Sequence, residues 1–218
     1  MLLTEVQSKQ WLQEAGVPVI QTRLAHNQTE AIKIAREIGF PVVLKIVSPD
    51  ISHKSDAGGV RLGLNNANQI RTAYREIVES CMQYCPKASI HGVSVQKMAR
   101  KGVETIIGVA RDQKFGHVLM FGLGGIQVEI LKDVAVRLIP LQHKDASEII
   151  RDIKGFPLLT GFRSQLPVSI PSLEEMILKI SDFVYKNPSI VEMDLNPVVA
   201  HENGTIVVDA RIVLEGHN

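Results

Sequence analysis

Strands come largely in pairs along this chain, with helices interspersed among them in mixed order, and that order constrains the fold more than any one motif. The densest β-branched run, PVVLKIV at residues 41–47, is followed by a polar loop and then by GVRLGL at 59–64. SIHGVSVQKMA and VETIIGVARD flank the turn RKG, GHVLMFGLGG and VAVRLIPL form a hairpin-like pair, and SIVEMDLNPVVA and GTIVVDARIVL flank HENG. Helical stripes lie between them. Ala31, Ile34, Ala35 and Ile38 stop at Gly39 and Pro41, Ile70 to Cys81 carry a second stripe, and Leu173, Met176, Ile177, Ile180 and Val184 a third. Thr4 with Gln7, and Ser172 with Glu175, have the spacing of capping boxes ahead of the first and last helices. Regular strand–helix alternation would build a doubly wound sheet. The mixed order of about five helices and eight or nine strands predicts an α+β protein with two sheet-bearing halves.

A chain of 218 residues can bury one large core or two interlocked ones. Its 24 basic and 23 acidic side chains leave a net charge of +1, which sets up no field for nucleic acid or an anionic membrane. No apolar run reaches the roughly 18 residues of a membrane span, and MLLTEVQSKQWL lacks a basic lead and apolar core. Cys81 and Cys85 have no second Cys or His pair with which to hold zinc. They read as reduced thiols of a cytoplasmic protein that has neither nucleic-acid nor membrane partners.

Walker A, HExxH and GxSxG patterns are absent, and GLGGIQ breaks the dinucleotide fingerprint at its last glycine. Lys45 stands inside an apolar strand, where an ammonium is costly to desolvate unless paired; alternation also allows it to face solvent. Gly58-Gly59 permits close backbone approach with N–H groups free for a phosphate, or else makes a simple bulge or turn. His53, in the loop, has an imidazole able to act as base or nucleophile toward phosphorus, although most loop histidines are only solvated. Asp194 and Asn196 share a strand face at what reads as the strand's end, with Asp209 in the facing strand. Their oxygens suit Mg²⁺, while Asn-Pro equally favours a turn. VQKM at 95–98, followed by a glycine turn and Glu104, offers backbone groups to a purine edge; Met98 alone is as well read as core.

In order, GFPVVLKIVSPDISHKSDAGGV, VSVQKM with GVETIIGVARDQKFG, VLMFGLGGIQVEILKDVAVRLIPL, and MDLNPV with VVDARI resemble the ATP-grasp fold. Within it they resemble the β subunits of ADP-forming acetyl-CoA synthetases, relatives of succinyl-CoA synthetase. The resemblance implies one ATP-grasp domain over 1–218, with interleaved subdomains of approximately 1–95 and 96–218 and ATP or ADP between them. It implies that Lys45 contacts the phosphates, the Gly58-Gly59 loop covers them, Gln96 and Met98 line the adenine, and Glu104 holds the ribose. Asn196 and Asp209 would bind Mg²⁺, His53 matches the loop histidine that relays a phosphoryl group to ADP, and Asp194 would orient a phosphohistidine. The implied partner is an α subunit carrying the CoA-binding and ligase domains, in an α2β2 assembly. Two other functions fit the same fold: a stand-alone carboxylate ligase, and a nucleotide-binding regulatory module without catalysis. Lys97 stands where the family has Glu or a neutral residue, and FRSQLP keeps Arg163 but has Ser164 and Leu166 in place of Gly and Pro.

Overall fold

The computed structural model describes residues 1–51, 53–125, 133–162 and 166–216. The chain forms two units, a smaller one of Thr4–Gln7 and Ile20–Ala99 and a larger one of Met1–Leu3, Ser8–Val19 and Arg100–Asn218. Helix α1 (Glu5–Glu14) opens with the expected box: Thr4 N–H donates to Gln7 Oε1 at 2.9 Å, and Gln7 N–H donates back to Thr4 Oγ1 at 3.3 Å.

The smaller unit is an antiparallel sheet of β1 (Thr22–Ala25), β2 (Val42–Val47), β3 (Val60–Leu64) and β4 (Gly92–Lys97) in the order β1-β4-β2-β3. Helices α2 (Gln28–Ile38) and α3 (Ala67–Tyr84) start at Asn27 and Asn66, whose side chains accept from the N–H groups of Glu30 and Gln69. Their predicted stripes are buried. Val42, Leu44 and Ile46 join Ile34, Ala35, Ile70 and Ile77 in one core. The pleat therefore turns Val43, Lys45 and Val47 to the opposite face, yet every residue of β2 is buried.

The larger unit holds β5 (Val103–Asp112), β6 (Gly116–Leu123), β7 (Val134–Leu138), β8 (Ile190–His201), β9 (Gly204–Val207) and β10 (Arg211–Leu214). The sheet order is β10-β8-β5-β6-β7, with β9 also on β8, and every pairing is antiparallel. Helices α4 (His143–Arg151) and α6 (Ile170–Lys186) pack with it, and the single turn α5 (Phe156–Leu159) lies between them in sequence. Ile107, Leu119, Phe121, Met193 and Leu195 form its core with Ile149, Ile150, Leu173, Ile177, Ile180 and Val184. No helix of the described residues is long and apolar enough to cross a membrane.

Three local expectations are corrected. β4 and β5 do not pair around RKG, because both edges of β4 are already taken by β1 and β2. Helix α6 starts one turn before Ser172: Ser169 Oγ accepts from Ser172 N–H at 3.3 Å, and Pro171 fits a first turn that needs no N–H there. The last run is two strands, β9 and β10, with Val208, Asp209 and Ala210 outside both.

Candidate functional site

In the smaller unit, Lys45 is 6% exposed, so the solvent-facing reading fails. Its ammonium donates to Oε1 of Glu5 at 2.8 Å, and Glu5 is itself 2% exposed at the side chain. The other carboxylate oxygen, Oε2, accepts from Nζ of Lys54. A strand lysine and a loop lysine thus share one buried carboxylate, whose negative charge offsets the cost of taking the cations out of water. Lys45 lies opposite Ser94 in the ladder, and Val43 opposite Gln96, so Lys45 and Gln96 occupy one face of the sheet. Gln96 is 1% exposed, and its Oε1 accepts from the Thr22 hydroxyl at 3.4 Å.

The loop after β2 is pinned by two buried side chains, Ile51 and Ala57. His53 stands exposed between them, next to Lys54 in the chain. The free N–H groups expected at Gly58 and Gly59 are not there. Gly58 N–H donates to Ser55 O at 3.0 Å, Gly59 N–H to Lys54 O at 2.7 Å, and Ala57 N–H to His53 O at 3.2 Å. The loop closes on itself, and both glycines serve that closure. Gly58 has φ +66°, and a Cβ on Gly59 would lie 2.6 Å from Ile46 Cγ2 and 2.9 Å from Lys54 O. Cys81 packs on the same spot, and burial pushes its thiol up; both cysteines are free thiols, as expected.

At the end of β4 the N–H groups expected to meet a purine are engaged: Lys97 N–H donates to Gln21 O at 3.2 Å and Met98 N–H to Pro41 O at 3.1 Å. The Met98 side chain is 39% exposed rather than core. Lys97 Nζ donates to the carbonyls of Gly39 at 2.7 Å and Phe40 at 3.1 Å, so this side chain closes the C-terminal end of α2.

In the larger unit, β8 does not end at Asn196. It runs on to His201 through a bulge on its β5 side, where Thr105 faces Val198 and Ile107 faces Leu195. Pro197, which has no N–H to give the ladder, is tolerated there. On the other side Asp194 pairs with Arg211 and Val198 with Val207. Both ladders keep the same register, which sets Asp209 across from Asn196, and Val208 N–H donates to Pro197 O at 3.0 Å. Asp194, Asn196 and Asp209 therefore come together along one edge of β8. Burial pushes the Asp194 carboxyl above its usual range, opposed by Arg211 and reinforced by Asp209 and Glu192. Among the described residues no cluster of three or more His, Cys, Asp or Glu could hold a metal. Asn196 and Asp209 instead make a sparse pair of oxygen donors, the kind Mg²⁺ uses together with nucleotide phosphates.

Glu104 is exposed on β5, and its carbonyl accepts from Gly124 N–H at 2.6 Å; a Cβ on Gly124 would meet Glu104 Cβ at 2.9 Å. The later part of GLGGIQVEI, together with Arg163 and Ser164, lies outside the described residues. Sequence reading missed Glu5. Its only signal is the Thr4–Gln7 box, which places Glu5 in the first turn of α1 and says nothing of a lysine forty positions on.

A family model for the ATP-grasp domain matches residues 1–214. The chain belongs to the ATP-grasp family. The β subunit of the ADP-forming acetate–CoA ligase I of Pyrococcus furiosus is 46% identical over 212 residues, covering 97% of this ATP-grasp chain and 91% of that subunit. The ADP-forming acetate–CoA ligase I of Archaeoglobus fulgidus is 44% identical over 93% of this chain, which spans only 30% of that longer protein. Among solved structures, acetyl-coenzyme A synthetase 1 of Ca. Korarchaeum cryptofilum, in complex with coenzyme A, Ca-AMPCP and HgCl⁺, superposes with a TM-score of 0.96 at 47% identity, covering 98% of this chain and 93% of that one. Another structure of that synthetase, in complex with coenzyme A and Mg-AMPPCP and with its phosphohistidine segment pointing towards the nucleotide binding site, gives a TM-score of 0.86 at 45% identity, covering 98% and 93%. The α+β architecture expected from the element order, and the ATP-grasp type that the resemblance implied, are thus the fold of this chain and of its ligase relatives.

Proposed function

We propose that this chain is the nucleotide-binding β subunit of an ADP-forming acyl-CoA synthetase, moving a phosphoryl group between ATP or ADP and an α subunit through a histidine. The observation that carries this reading is a buried strand cation, Lys45, joined through Glu5 to Lys54 of the loop, whose chain neighbour is the exposed His53. Close likeness over almost the whole chain to β subunits of acetate–CoA ligases supports it. So does the appearance of the same region inside longer ligases, which fits a separate partner carrying the CoA-binding and ligase domains in an α2β2 assembly.

In the proposed reaction the unprotonated imidazole nitrogen of His53 attacks the γ-phosphorus of ATP. The N–P bond forms as the bond to the β,γ-bridging oxygen breaks, ADP leaves with that electron pair, and the second ring nitrogen keeps its proton. In reverse, a terminal oxygen of ADP takes the phosphoryl group and the N–P bond breaks. Lys45 neutralises charge on the transferring oxygens. Gln96 and Met98 would line the adenine, Glu104 would hold the ribose, and Asp194 would orient a phosphohistidine. Gly58 and Gly59 would act by shaping the His53 loop rather than by lending N–H groups. Asn196 and Asp209 would hold Mg²⁺, which when bound supplies charge neutralisation on the phosphates.

The test is phosphorylation of the chain by [γ-³²P]ATP and Mg²⁺, with and without the cognate α subunit. Acid-labile, base-stable label that disappears in His53→Ala is the expected result. Turnover of ATP, acid and an amine without a partner, surviving His53→Ala, would instead mark a carboxylate–amine ligase.

A further inference from the structure

Glu5 is not among the residues that the proposed reaction uses, yet it is the most deeply buried member of the charged group beside them. Its side chain is 2% exposed, against 8% for Lys45 and 21% for Lys54. Both of its oxygens serve lysines, Oε1 taking Lys45 at 2.8 Å and Oε2 taking Lys54. Its own position is fixed by the Thr4–Gln7 capping box, and a carboxylate in a helix's first turn is favoured by the exposed N–H groups there. The two lysines it joins come from different elements. Lys45 is held by the β2 ladder, and Lys54 belongs to the loop, where its carbonyl accepts from Gly59 N–H at 2.7 Å and its neighbour is His53.

We propose that Glu5 is a positioning residue for phosphoryl transfer, clamping the loop that carries His53 to the strand lysine that meets the phosphates. This rests on the reading of Lys45 and His53 given above. The clamp has two consequences. The carboxylate keeps the Lys45 ammonium protonated while it is out of water, so the cation is present when a phosphate arrives. It also fixes Lys54, and through the chain His53, relative to Lys45, and a displacement of about 1 Å between reacting groups can cost on the order of a hundredfold in rate. Glu5 needs no contact with nucleotide for either effect.

The experiment follows the initial rate of acid-labile labelling from [γ-³²P]ATP and Mg²⁺ in the full chain, across pH, with and without the α subunit. Glu5→Gln keeps the shape but loses the charge. The expected result is a rate about ten- to a hundredfold lower at neutral pH, an alkaline limb moved to lower pH, and partial return of both with Glu5→Asp. Lys54→Gln leaves the Lys45–Glu5 pair in place and is expected to slow labelling about tenfold while changing nucleotide affinity by less than about twofold. Wild-type labelling with an unchanged rate and profile in Glu5→Gln overturns the inference and leaves the proposed function standing. A fall by one factor at every pH, without rescue by Asp, reduces Glu5 to a structural role and also overturns it. If Glu5→Gln does not fold by circular dichroism, unchanged labelling in Lys54→Gln does the same. Absence of label on wild-type His53 removes both proposals together.

Discussion

Replacing Gly59 by Ala tests whether the His53 loop is held by packing. An added methyl would sit 2.6 Å from Ile46 Cγ2, 2.9 Å from Lys54 O and 3.1 Å from Cys81 Sγ. Non-bonded heavy atoms settle at about 3.5 to 4 Å, so the Ile46 methyl must retreat by roughly 1 Å and the Lys54 carbonyl by somewhat less. Ile46 is fully buried in the β2 core and has no room to yield. Overpacking of this kind costs about 1 to 3 kcal/mol, and losing the Gly59 N–H to Lys54 O bond adds about 1 kcal/mol, giving about 2 to 4 kcal/mol together. Gly63→Ala is the control. At φ +67° with nothing within 4 Å it carries only the conformational cost, about 1 to 2 kcal/mol. Urea unfolding followed by circular dichroism reads both from the midpoints, provided the slope is unchanged. Gly59→Ala should be the less stable, and its His53 labelling should slow. A Gly59→Ala protein as stable as Gly63→Ala would refute the packing account of the loop.

Lys97→Met removes the two bonds that close the end of α2, at 2.7 and 3.1 Å; a loss of about 1 kcal/mol should lower the melting temperature by about 2 to 4 °C. Asp194→Asn should stabilise the chain at neutral pH. Burial raises the native carboxyl, so the folded state holds that proton more tightly than the unfolded chain; the stabilisation present in acid is lost as pH climbs from the ordinary carboxylate range through the raised value. The gain in Asn should therefore vanish in acid, and a loss of stability at neutral pH would contradict it. Arg211→Gln, which removes the cation opposing that shift, should push the Asp194 carboxyl higher still in an NMR titration. Asp209→Asn should raise the Mg²⁺ concentration needed for half-maximal labelling about tenfold or more, read by metal titration at fixed ATP.

What the sequence made legible was whatever repeats with a period. The stripes of α2, α3 and α6 are buried as spaced, with Ala31, Ile34 and Ala35, Ile70 to Cys81, and Leu173 to Val184 all facing cores. The β2 run and the loop after it also stand where composition put them. Partner choice was not legible. That β4 pairs with β1 and β2 rather than β5 depends on which edges are free, and no local pattern encodes it. The N–H groups of Lys97 and Met98 escape sequence reading for the same reason, since their acceptors, Gln21 O and Pro41 O, are remote in the chain; those of Gly58 and Gly59 are taken within their own loop, by Ser55 O and Lys54 O, where composition does not fix the turn. Lys45 could be suspected from burial cost alone. Its counter-ion could not, because an ion pair between Glu5 and Lys45 leaves no periodic mark.

The pairing pattern also sets an order of assembly during synthesis on the ribosome. Every strand of the smaller sheet is contained in residues 22–97, and Glu5 precedes them, so that unit has all its partners as soon as this stretch has emerged. The larger sheet must wait. β8 needs β9 and β10, which follow it in the chain, while Leu3, which precedes every strand of the smaller sheet, donates to Ile212 O at 3.0 Å. Vectorial synthesis therefore presents a nascent chain whose Lys45 and Lys54 are already paired with Glu5 while the β8 edge carrying Asp194 and Asn196 is still without its neighbours.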